Sequence, residues 1–320
     1  MYRKASLIFS AFISLFMLAL PTAANDEINV IIKKMQTPSW DCPLPSLQDE
    51  LEDTLKLTSL TDKQRFELSA AKGQFLICEG KLKEALTLLN TITSQEDIDT
   101  DSYAYASAIY QIGFVYDMRE HPTRCEYYNQ AQQISSPEKH SDIFTSASLG
   151  LITYCSDNAD EAERLSKMFS VLQRYSDDGS PAELAHIHNS IGLLYGDLEQ
   201  HALAAEQYIK AHEMGLKVYK GSNKLSILIS AIVSLLASGQ TDEAYQRILE
   251  YGSINSEVNT PLTNYYYQYA LSYYYRKTKN YSQLAYTLPD LKEAGSKVSS
   301  SLAPYFTTGI KLKFVFTTKT

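Results

Sequence analysis

The 320-residue chain lacks the short motifs that most often carry catalysis. It contains no glycine-rich phosphate loop, no nucleophile elbow and no His-Glu-x-x-His metal site. Two close histidines, His186 and His188, are two positions apart, so on a helix they point to different faces and cannot chelate one ion together. We therefore expect a non-catalytic protein that holds neither a metal ion nor a cofactor.

Positive charge and long apolar runs are also scarce. The chain has 29 Lys and Arg against 37 Asp and Glu, a formal net charge of −8, and this balance disfavours nucleic acid and anionic membrane surfaces as partners. Beyond the N-terminus, the longest apolar stretches are interrupted; the run from Ile227 to Ala237, for example, contains Ser230 and Ser234. We expect no nucleic-acid partner and no stable membrane span in the mature protein.

Residues 1–24 have the pattern of a secretory signal peptide. Arg3 and Lys4 form a positively charged n-region, and Leu7 to Leu20 is a short apolar run. Residues 21–24 (Pro-Thr-Ala-Ala) supply small residues for cleavage. The sequence therefore predicts a periplasmic or secreted protein. An uncleaved N-terminal anchor is the alternative.

The stretch from Ala185 to Val218 has the pattern of two antiparallel helices joined by a tight turn. Gly192 on the first helix and Ala204 on the second are small, which lets the two helices approach closely. The spacing of Gly192, Tyr195, Ala204 and Ala211 resembles the signature of the tetratricopeptide-repeat family. Because such a hairpin cannot bury its outer apolar faces alone, it needs neighbouring copies.

The same spacing of small residues recurs along the chain, as in Gly73 with Ala85 and Gly150 with Ala162. The pattern predicts an all-α fold, a right-handed α-solenoid of about six degenerate tetratricopeptide-like helical hairpins. The step of about 40 residues exceeds the usual 34 of the family, so either the helices are extended or the loops between units are long. The six units are predicted to start near Phe66, Ala106, Ile143, Ala185, Leu225 and Tyr265.

The array sets the expected organisation of the rest of the chain. Prolines predict an irregular segment from Asn25 to Ser46, followed by a capping helix with Ser46 as its N-cap that runs to about Leu57. The C-terminal tail has the pattern of a broken helix and a β-prone segment, for which disorder, a docking strand and a truncated reading frame are alternatives. The expected parts are a signal peptide (1–24), an N-terminal extension with a capping helix (25–65), the repeat array (66–298) and the tail (299–320).

The four cysteines are even in number, and in an exported chain this indicates disulfides. In stacked hairpins, the start of a second helix and the end of the next first helix lie at one level. The pairs Cys42–Cys78 and Cys125–Cys155 are both plausible on this ground. The alternative is four free, buried thiols, and the spacing fits no zinc site.

The family resemblance implies that the first helices of successive units line a concave groove that receives the ligand. Transferred to this chain, the groove positions give an aromatic surface with a few polar groups, suited to a peptide, a partner helix or an amphipathic small molecule. The candidate contact residues are Tyr110, Phe114, Asp117, Phe144, Tyr154, His186, Asn189, Tyr266, Tyr269, Tyr273 and Arg276.

The last unit is unusually rich in tyrosine, with seven of the 24 tyrosines between positions 264 and 275. Tyr266, Tyr269 and Tyr273 share one helix face, and Arg276 and Lys277 at its edge could recognise an acidic group. The alternative is a packed helix that buries the rings and keeps the hydroxyl groups in water.

These patterns favour an exported, non-catalytic binding or scaffold protein that holds a peptide or protein partner of the cell envelope in its groove. The chain also resembles the periplasmic repeat regions of bacterial diguanylate cyclases and sensor kinases. A ligand-sensing module of such a system, lacking its output domain, is therefore the alternative function. An enzyme would need a cleft with a perturbed acid or base, for which the sequence offers no candidate, and the oligomeric state is not indicated.

Overall fold

A computed structural model of the chain describes residues 26–35, 45–155, 160–219 and 223–298. These residues form fourteen α-helices and one short 3-10 turn, and no strand occurs among them. None of the described helices combines the length and the apolar character needed to cross a membrane. The predicted signal peptide (1–24) and the predicted C-terminal tail (299–320) lie outside the described residues, so both stay predictions.

Six helical hairpins follow one another along the chain, and the predicted all-α repeat fold is confirmed. Every predicted unit start falls inside the first helix of one hairpin, and successive first helices begin about 40 residues apart. The hairpins are α3 (Asp62–Cys78) with α4 (Leu82–Thr93), α5 (Tyr103–Met118) with α6 (Arg124–Ile134), α7 (Ser141–Tyr154) with α8 (Glu161–Tyr175), α9 (Pro181–Asp197) with α10 (His201–Gly215), α11 (Asn223–Ala237) with α12 (Thr241–Val258), and α13 (Pro261–Lys277) with α14 (Tyr281–Lys297).

Two helices precede the hairpins, and one of them lies where the sequence predicts an irregular segment. Residues 26–35 form helix α1 rather than irregular chain. Its apolar residues Ile28, Ile32 and Met35 follow helical spacing, and they pack with Leu51 in one buried cluster. The expected irregular segment was therefore wrong for this part of the chain.

The capping helix itself, α2, spans Gln48–Leu55 and so ends slightly before the predicted Leu57. Ser46 does not cap it, because this residue lies within the 3-10 turn Pro45–Leu47, and the residue that precedes α2 makes no side-chain cap hydrogen bond. Pro45 therefore lies in the 3-10 turn, before the α-helix begins. At this position its missing backbone N–H removes no helical hydrogen bond.

Several first helices begin at a hydroxyl side chain that satisfies a free backbone N–H group. The side chains of Thr61, Ser102, Ser180 and Thr260 each accept a hydrogen bond from the backbone N–H three residues further along. Three of these sites, at residues 61, 180 and 260, are complete capping boxes. This recurrence explains why the first helices begin at equivalent positions of successive units.

The turn within each hairpin contains one residue with a left-handed backbone, in all five hairpins whose turn is described. The backbone N–H of the next residue then bonds to the carbonyl five positions before that residue, as in Gln200 to Tyr195 and Gln240 to Leu235. This geometry is a Schellman cap, which ends the first helix and reverses the chain. The left-handed residues are Gly80, Glu120, Glu199, Gly239 and Lys279, with φ between 52° and 85°.

Small residues of the first helices make room for large side chains of the second helices. A Cβ placed at Gly113 would lie 3.0 Å from the ring of Tyr128, and one at Gly150 would lie 2.7 Å from the same ring. Tyr128 of α6 is thus wedged between helices α5 and α7. In the next unit Gly192 faces the ring of Tyr208 in the same way. The core of the array therefore interlocks neighbouring units as well as the two helices of one hairpin.

A disulfide joins the second unit to the third. Cys125 in the first turn of α6 is bonded to Cys155, which directly follows α7, with 5.6 Å between the two Cα atoms. Cys78 is also disulfide-bonded, and no free cysteine occurs in the described chain. Cys42 lies outside the described residues. Four free thiols, the alternative from the sequence, are therefore wrong.

Candidate functional site

In the first four units the first helices lie beside one another, since α3 contacts α5, α5 contacts α7 and α7 contacts α9. Helix α11 contacts α13 in the same way, and α10 joins the fourth unit to α11. The surface that they share carries the residues expected to meet a ligand, and we call it the first-helix face. It is defined here by Phe114, Asp117, Phe144, Tyr154, His186, Asn189, Asp197, Tyr269, Tyr273, Arg276 and Lys277.

A buried acid at the C-terminal end of α5 organises the first part of this face. Arg124 Nη1 donates to Asp117 Oδ1 at 3.3 Å, and Tyr128 Oη donates to Asp117 Oδ2 at 3.2 Å. The Arg124 guanidinium also lies over the ring of Tyr154, 5.1 Å from its centroid, and approaches the Tyr154 carbonyl oxygen at 3.5 Å. The acid, the arginine and two tyrosines thus form one contiguous cluster across α5, α6 and α7.

Burial shifts the pKa of the Asp117 carboxyl and of the Tyr154 hydroxyl in this cluster. The Asp117 side chain is only 11% exposed, and burial raises the pKa of its carboxyl to about 6, against the opposing effects of Arg124 and Tyr128. Burial also raises the pKa of the Tyr154 hydroxyl, and the nearby carboxylates of Asp117 and Asp197 raise it further. The Tyr154 hydroxyl group is therefore influenced by two carboxylates, one from α5 and one from α9.

Beneath the charged cluster lies a layer of aromatic rings. The ring of Tyr110 stacks on Phe114 at 6.3 Å and on Tyr128 at 5.7 Å between centroids. Tyr110 itself is only 5% exposed, so it does not fit the prediction of an accessible groove residue. The physical reason is that α6 and α7 cover its helix face, and Tyr110 supports the site from below.

The disulfide lies directly beside this cluster. Arg124 precedes Cys125 in the chain, and Tyr154 precedes Cys155. The covalent link therefore holds the arginine and the tyrosine of the cluster together. Sequence reasoning missed Arg124 and Tyr128, although the expected pairing of the two cysteines would have placed Arg124 next to Tyr154.

The other predicted contact residues of the third and fourth units are Phe144, His186 and Asn189. The ring of Phe144 packs under the Arg174 guanidinium at 5.9 Å. On α9, burial lowers the pKa of His186 to about 4, so this imidazole is neutral at pH 7. Asn189 is half-buried on the same helix. These residues present uncharged groups to the face.

The tyrosine-rich helix α13 separates into buried and accessible rings. Tyr266 is only 2% exposed and packs into the core formed with α11 and α12, so it is a core residue rather than an accessible contact. Tyr269 and Tyr273 are half-buried, with 6.1 Å between their ring centroids. The Arg276 guanidinium and the Lys277 ammonium lie 5.0 Å and 5.6 Å from the Tyr273 centroid. An aromatic and cationic patch results at this end of the face.

The described part of the chain contains no group of three or more His, Cys, Asp or Glu side chains placed to hold a metal ion. The first-helix face offers hydrogen-bond donors and acceptors, charged side chains and aromatic rings. This set can bind and orient a polar segment. Of its two acids, Asp117 is engaged by Arg124 and Tyr128, and Asp197 is exposed at the end of α9.

Comparison with known proteins gives structural likeness only. The sequence matches no family model and no curated protein. The fold is similar to that of a Rap protein complexed with a competence and sporulation factor, with a TM-score of 0.60 at 12% identity over 80% of this chain and 81% of that chain. The apo form of RapI aligns with a TM-score of 0.47 at 15% identity (85% of this chain, 87% of that one). BtubC (BKLC) from P. vanneervenii aligns with a TM-score of 0.45 at 15% identity (72% and 92%). The likeness to the Rap protein complex shows that this chain has a tetratricopeptide-like helical-repeat fold.

Proposed function

We propose that this chain is an exported, non-catalytic binding protein that holds a peptide or protein segment against its first-helix face. One observation carries the proposal: half-buried aromatic rings of two first helices lie beside cationic groups, Tyr154 of α7 beside Arg124 of α6, and Tyr273 beside Arg276 on α13. Aromatic and arginine side chains dominate the energetic centres of protein interfaces, because they combine a large contact area with polar ends.

The likeness to the Rap protein supports binding as the role of the fold. That protein was crystallised with a competence and sporulation factor. Because the identity is 12%, this support concerns the architecture and says nothing about the residues that would select a ligand.

The disulfides support the exported location. Cys125 is bonded to Cys155, and Cys78 is also in a disulfide. Disulfides persist in oxidising compartments and are rare in the reducing cytosol. Together with the signal-peptide pattern of residues 1–24, they favour a periplasmic or secreted protein.

The test is affinity capture from envelope extract, with mass spectrometry of bound peptides, proteins and metabolites. We expect the wild type to recover a peptide or protein partner and the variant Tyr269→Ala/Tyr273→Ala to lose it. The matched control is Tyr281→Ala/Tyr286→Ala on α14, where both rings are mostly exposed, at 65% and 80%, and lie outside the first-helix face. Circular dichroism checks that each variant is folded.

Equal capture by the wild type and by Tyr269→Ala/Tyr273→Ala would contradict the placement of the site on α13. Recovery of a small molecule alone, with no peptide or protein, would contradict the proposal and favour the sensor role instead.

A further inference from the structure

The outer face of α14 is apolar, and nothing in the described part of the chain covers it. The side chains of Tyr281, Tyr286 and Leu288 are 65%, 80% and 43% exposed, and Ala285 and Pro289 beside them are exposed as well. We call these five residues the α14 outer face. The last helix of a repeat array normally turns a polar face to solvent, because no further unit packs against it. An apolar face at this place therefore needs a partner.

The repeat step of 40 residues shows which side chain of α14 lacks its cover. The position of Leu288 holds Tyr128, Met168, Tyr208 and Ile248 in α6, α8, α10 and α12. Each of these four side chains is at most 2% exposed, because each lies between the first helix of its own unit and the next unit, as Tyr128 does between α5 and α7. Leu288 packs in a helix that is joined to α13 alone in this way, and it remains 43% exposed.

Two positions of this face are polar in the earlier second helices and aromatic in α14. The position of Tyr286 is exposed in every second helix from α6 onward. In the four helices before α14 it holds Glu126, Ser166, Glu206 and Gln246. The position of Tyr281 is the first residue of its helix, and it holds Glu161, His201 and Thr241 in α8, α10 and α12. The change from polar residues to tyrosine indicates that this surface of α14 is covered by apolar groups.

The chain itself supplies a segment suited to this face. Residues 299–320 follow Val298 directly and lie outside the described residues. The first eight of them, Ser-Ser-Ser-Leu-Ala-Pro-Tyr-Phe, contain the apolar side chains Leu302, Tyr305 and Phe306. The segment has three lysines and no acidic residue, whereas the whole chain has a net charge of −8. The segment and the rest of the chain therefore attract each other.

The segment begins at one end of the α14 outer face and is long enough to follow it to the other. Tyr281 and Val298 are 17 positions apart, which is about 26 Å along a helix. An extended chain rises about 3.3 Å per residue, so about eight residues return over this distance. On such a path Leu302 comes level with Leu288, and Phe306 comes level with Tyr281.

A second copy of the chain fits this face less well. A helix of 17 residues offers a strip of about 25 Å by 10 Å, or roughly 250 Å², whereas a specific interface buries about 800 Å² on each partner. Two copies would also bring together surfaces of the same negative charge. A segment of the same chain needs less contact area, because its effective concentration at the face is on the order of millimolar.

We propose that residues 299–306 pack back along the α14 outer face, with Leu302 beside Leu288 and Phe306 beside Tyr281. The segment thereby covers the last hairpin in place of a further unit. Among the alternatives that the sequence leaves open for the C-terminal tail, this proposal selects docking. It is independent of the proposed function, since the α14 outer face is not part of the first-helix face.

The test is photo-cross-linking of the purified full chain with its disulfides intact. The photoreactive residue p-benzoylphenylalanine replaces Tyr281, and mass spectrometry after trypsin digestion identifies the attached peptide. We expect a cross-link within the monomer to the peptide of residues 298–311, which trypsin releases by cleaving after Lys297 and Lys311. The matched control carries the same residue in place of Thr241, at the equivalent position of α12, and should give no cross-link to that peptide.

A second substitution tests the apolar contact itself. In the chain with the photoreactive residue at position 281, Leu288→Asp should lower the yield of this cross-link at least about tenfold, because covering a carboxylate with Leu302 is unfavourable. Leu249→Asp changes another exposed leucine, 48% exposed on α12, and should leave the yield unchanged. Circular dichroism checks that each variant is folded.

Three results would overturn the proposal. The first is a cross-linked product of twice the chain's mass, which would place a second copy on the α14 outer face. The second is the absence of any cross-link from position 281 to residues 298–311, and the third is an equal yield from position 241. Each of these results would leave binding at the first-helix face untouched, so the two proposals fail separately.

Discussion

Gly192 allows the packing of the repeats to be tested with a single methyl group. A Cβ at this position would lie 2.8 Å from both Cδ1 and Cε1 of Tyr208, a distance shorter than normal carbon contacts. Tyr208 is only 1% exposed and packs against Ala231 of the following unit. Its ring therefore cannot move aside without disturbing a second interface, and Gly192→Ala should destabilise the array.

Two opposing effects decide the magnitude. Forcing an extra methyl group into a packed core costs about 1–3 kcal/mol, whereas replacing glycine by alanine within a helix stabilises it by about 1 kcal/mol. We expect Gly192→Ala to lower the free energy of unfolding by about 1 kcal/mol. Gly295 of α14 is the matched control, because a Cβ there would lie 3.4 Å from the Tyr265 ring, an ordinary contact. Gly295→Ala should therefore raise the free energy of unfolding by up to about 1 kcal/mol.

The assay is urea unfolding of both variants and the wild type with disulfides intact, followed by far-ultraviolet circular dichroism. We expect the two unfolding midpoints to shift in opposite directions. A Gly192→Ala variant that is as stable as the wild type, or that gains stability as Gly295→Ala does, would refute the close contact with Tyr208.

Three further predictions concern the cross-link, the buried acid and the hairpin turns. The double variant Cys125→Ser/Cys155→Ser should lose about 3–4 kcal/mol in urea unfolding, because the bond closes a loop with a sequence separation of 30; a loss below about 1 kcal/mol would contradict the entropic account. The Asp117 carboxyl should titrate near pH 6 by carbon NMR, and an ordinary midpoint near pH 4 would contradict its burial. Because the folded state keeps this proton where the unfolded state releases it, the wild type should lose stability relative to Asp117→Asn as the pH rises from about 4 to 6. Finally, Glu199→Gly should raise the free energy of unfolding by about 1 kcal/mol and Gly239→Ala should lower it by a similar amount, since both positions have positive φ (55° and 85°); midpoints that move in the same direction would show that the turns do not need a left-handed residue.

The number of hairpins and the positions at which they begin could be predicted because their packing requires small residues at regular positions of the sequence. A first helix needs a small residue where a large side chain of a second helix crosses it, as at Gly113 and Gly192. The size of each side chain can be read directly from the sequence. The turns within the hairpins are harder to predict from the sequence. Glu120, Glu199 and Lys279 adopt the left-handed conformation without being glycine, so only the stacked helices around them impose it.

Helix α1 was missed because its apolar residues are few and prolines follow it closely. Ile28, Ile32 and Met35 form an apolar face of barely two helical turns. A helix of that length is stable only when other residues cover its apolar face, as Leu51 and Phe75 do here. Local patterns do not contain this tertiary contribution.

The candidate site could be predicted only as a register along the first helices. That register predicted Asp117, Tyr154 and Tyr273 as contact residues, but it could not show which rings are buried by neighbouring helices, as Tyr110 and Tyr266 are. It also could not include residues of second helices. Arg124, which pairs with Asp117 across the hairpin, depends on a three-dimensional contact that repeat spacing does not encode.

Hydroxyl-radical footprinting with and without the captured partner shows whether a segment binds on the first-helix face. We expect Tyr154, Tyr269 and Tyr273 to become protected from oxidation on binding, while the exposed rings of Tyr281 and Tyr286 on α14 react as before. Protection of Tyr281 and Tyr286, with unchanged oxidation of the three rings on the first helices, would contradict it.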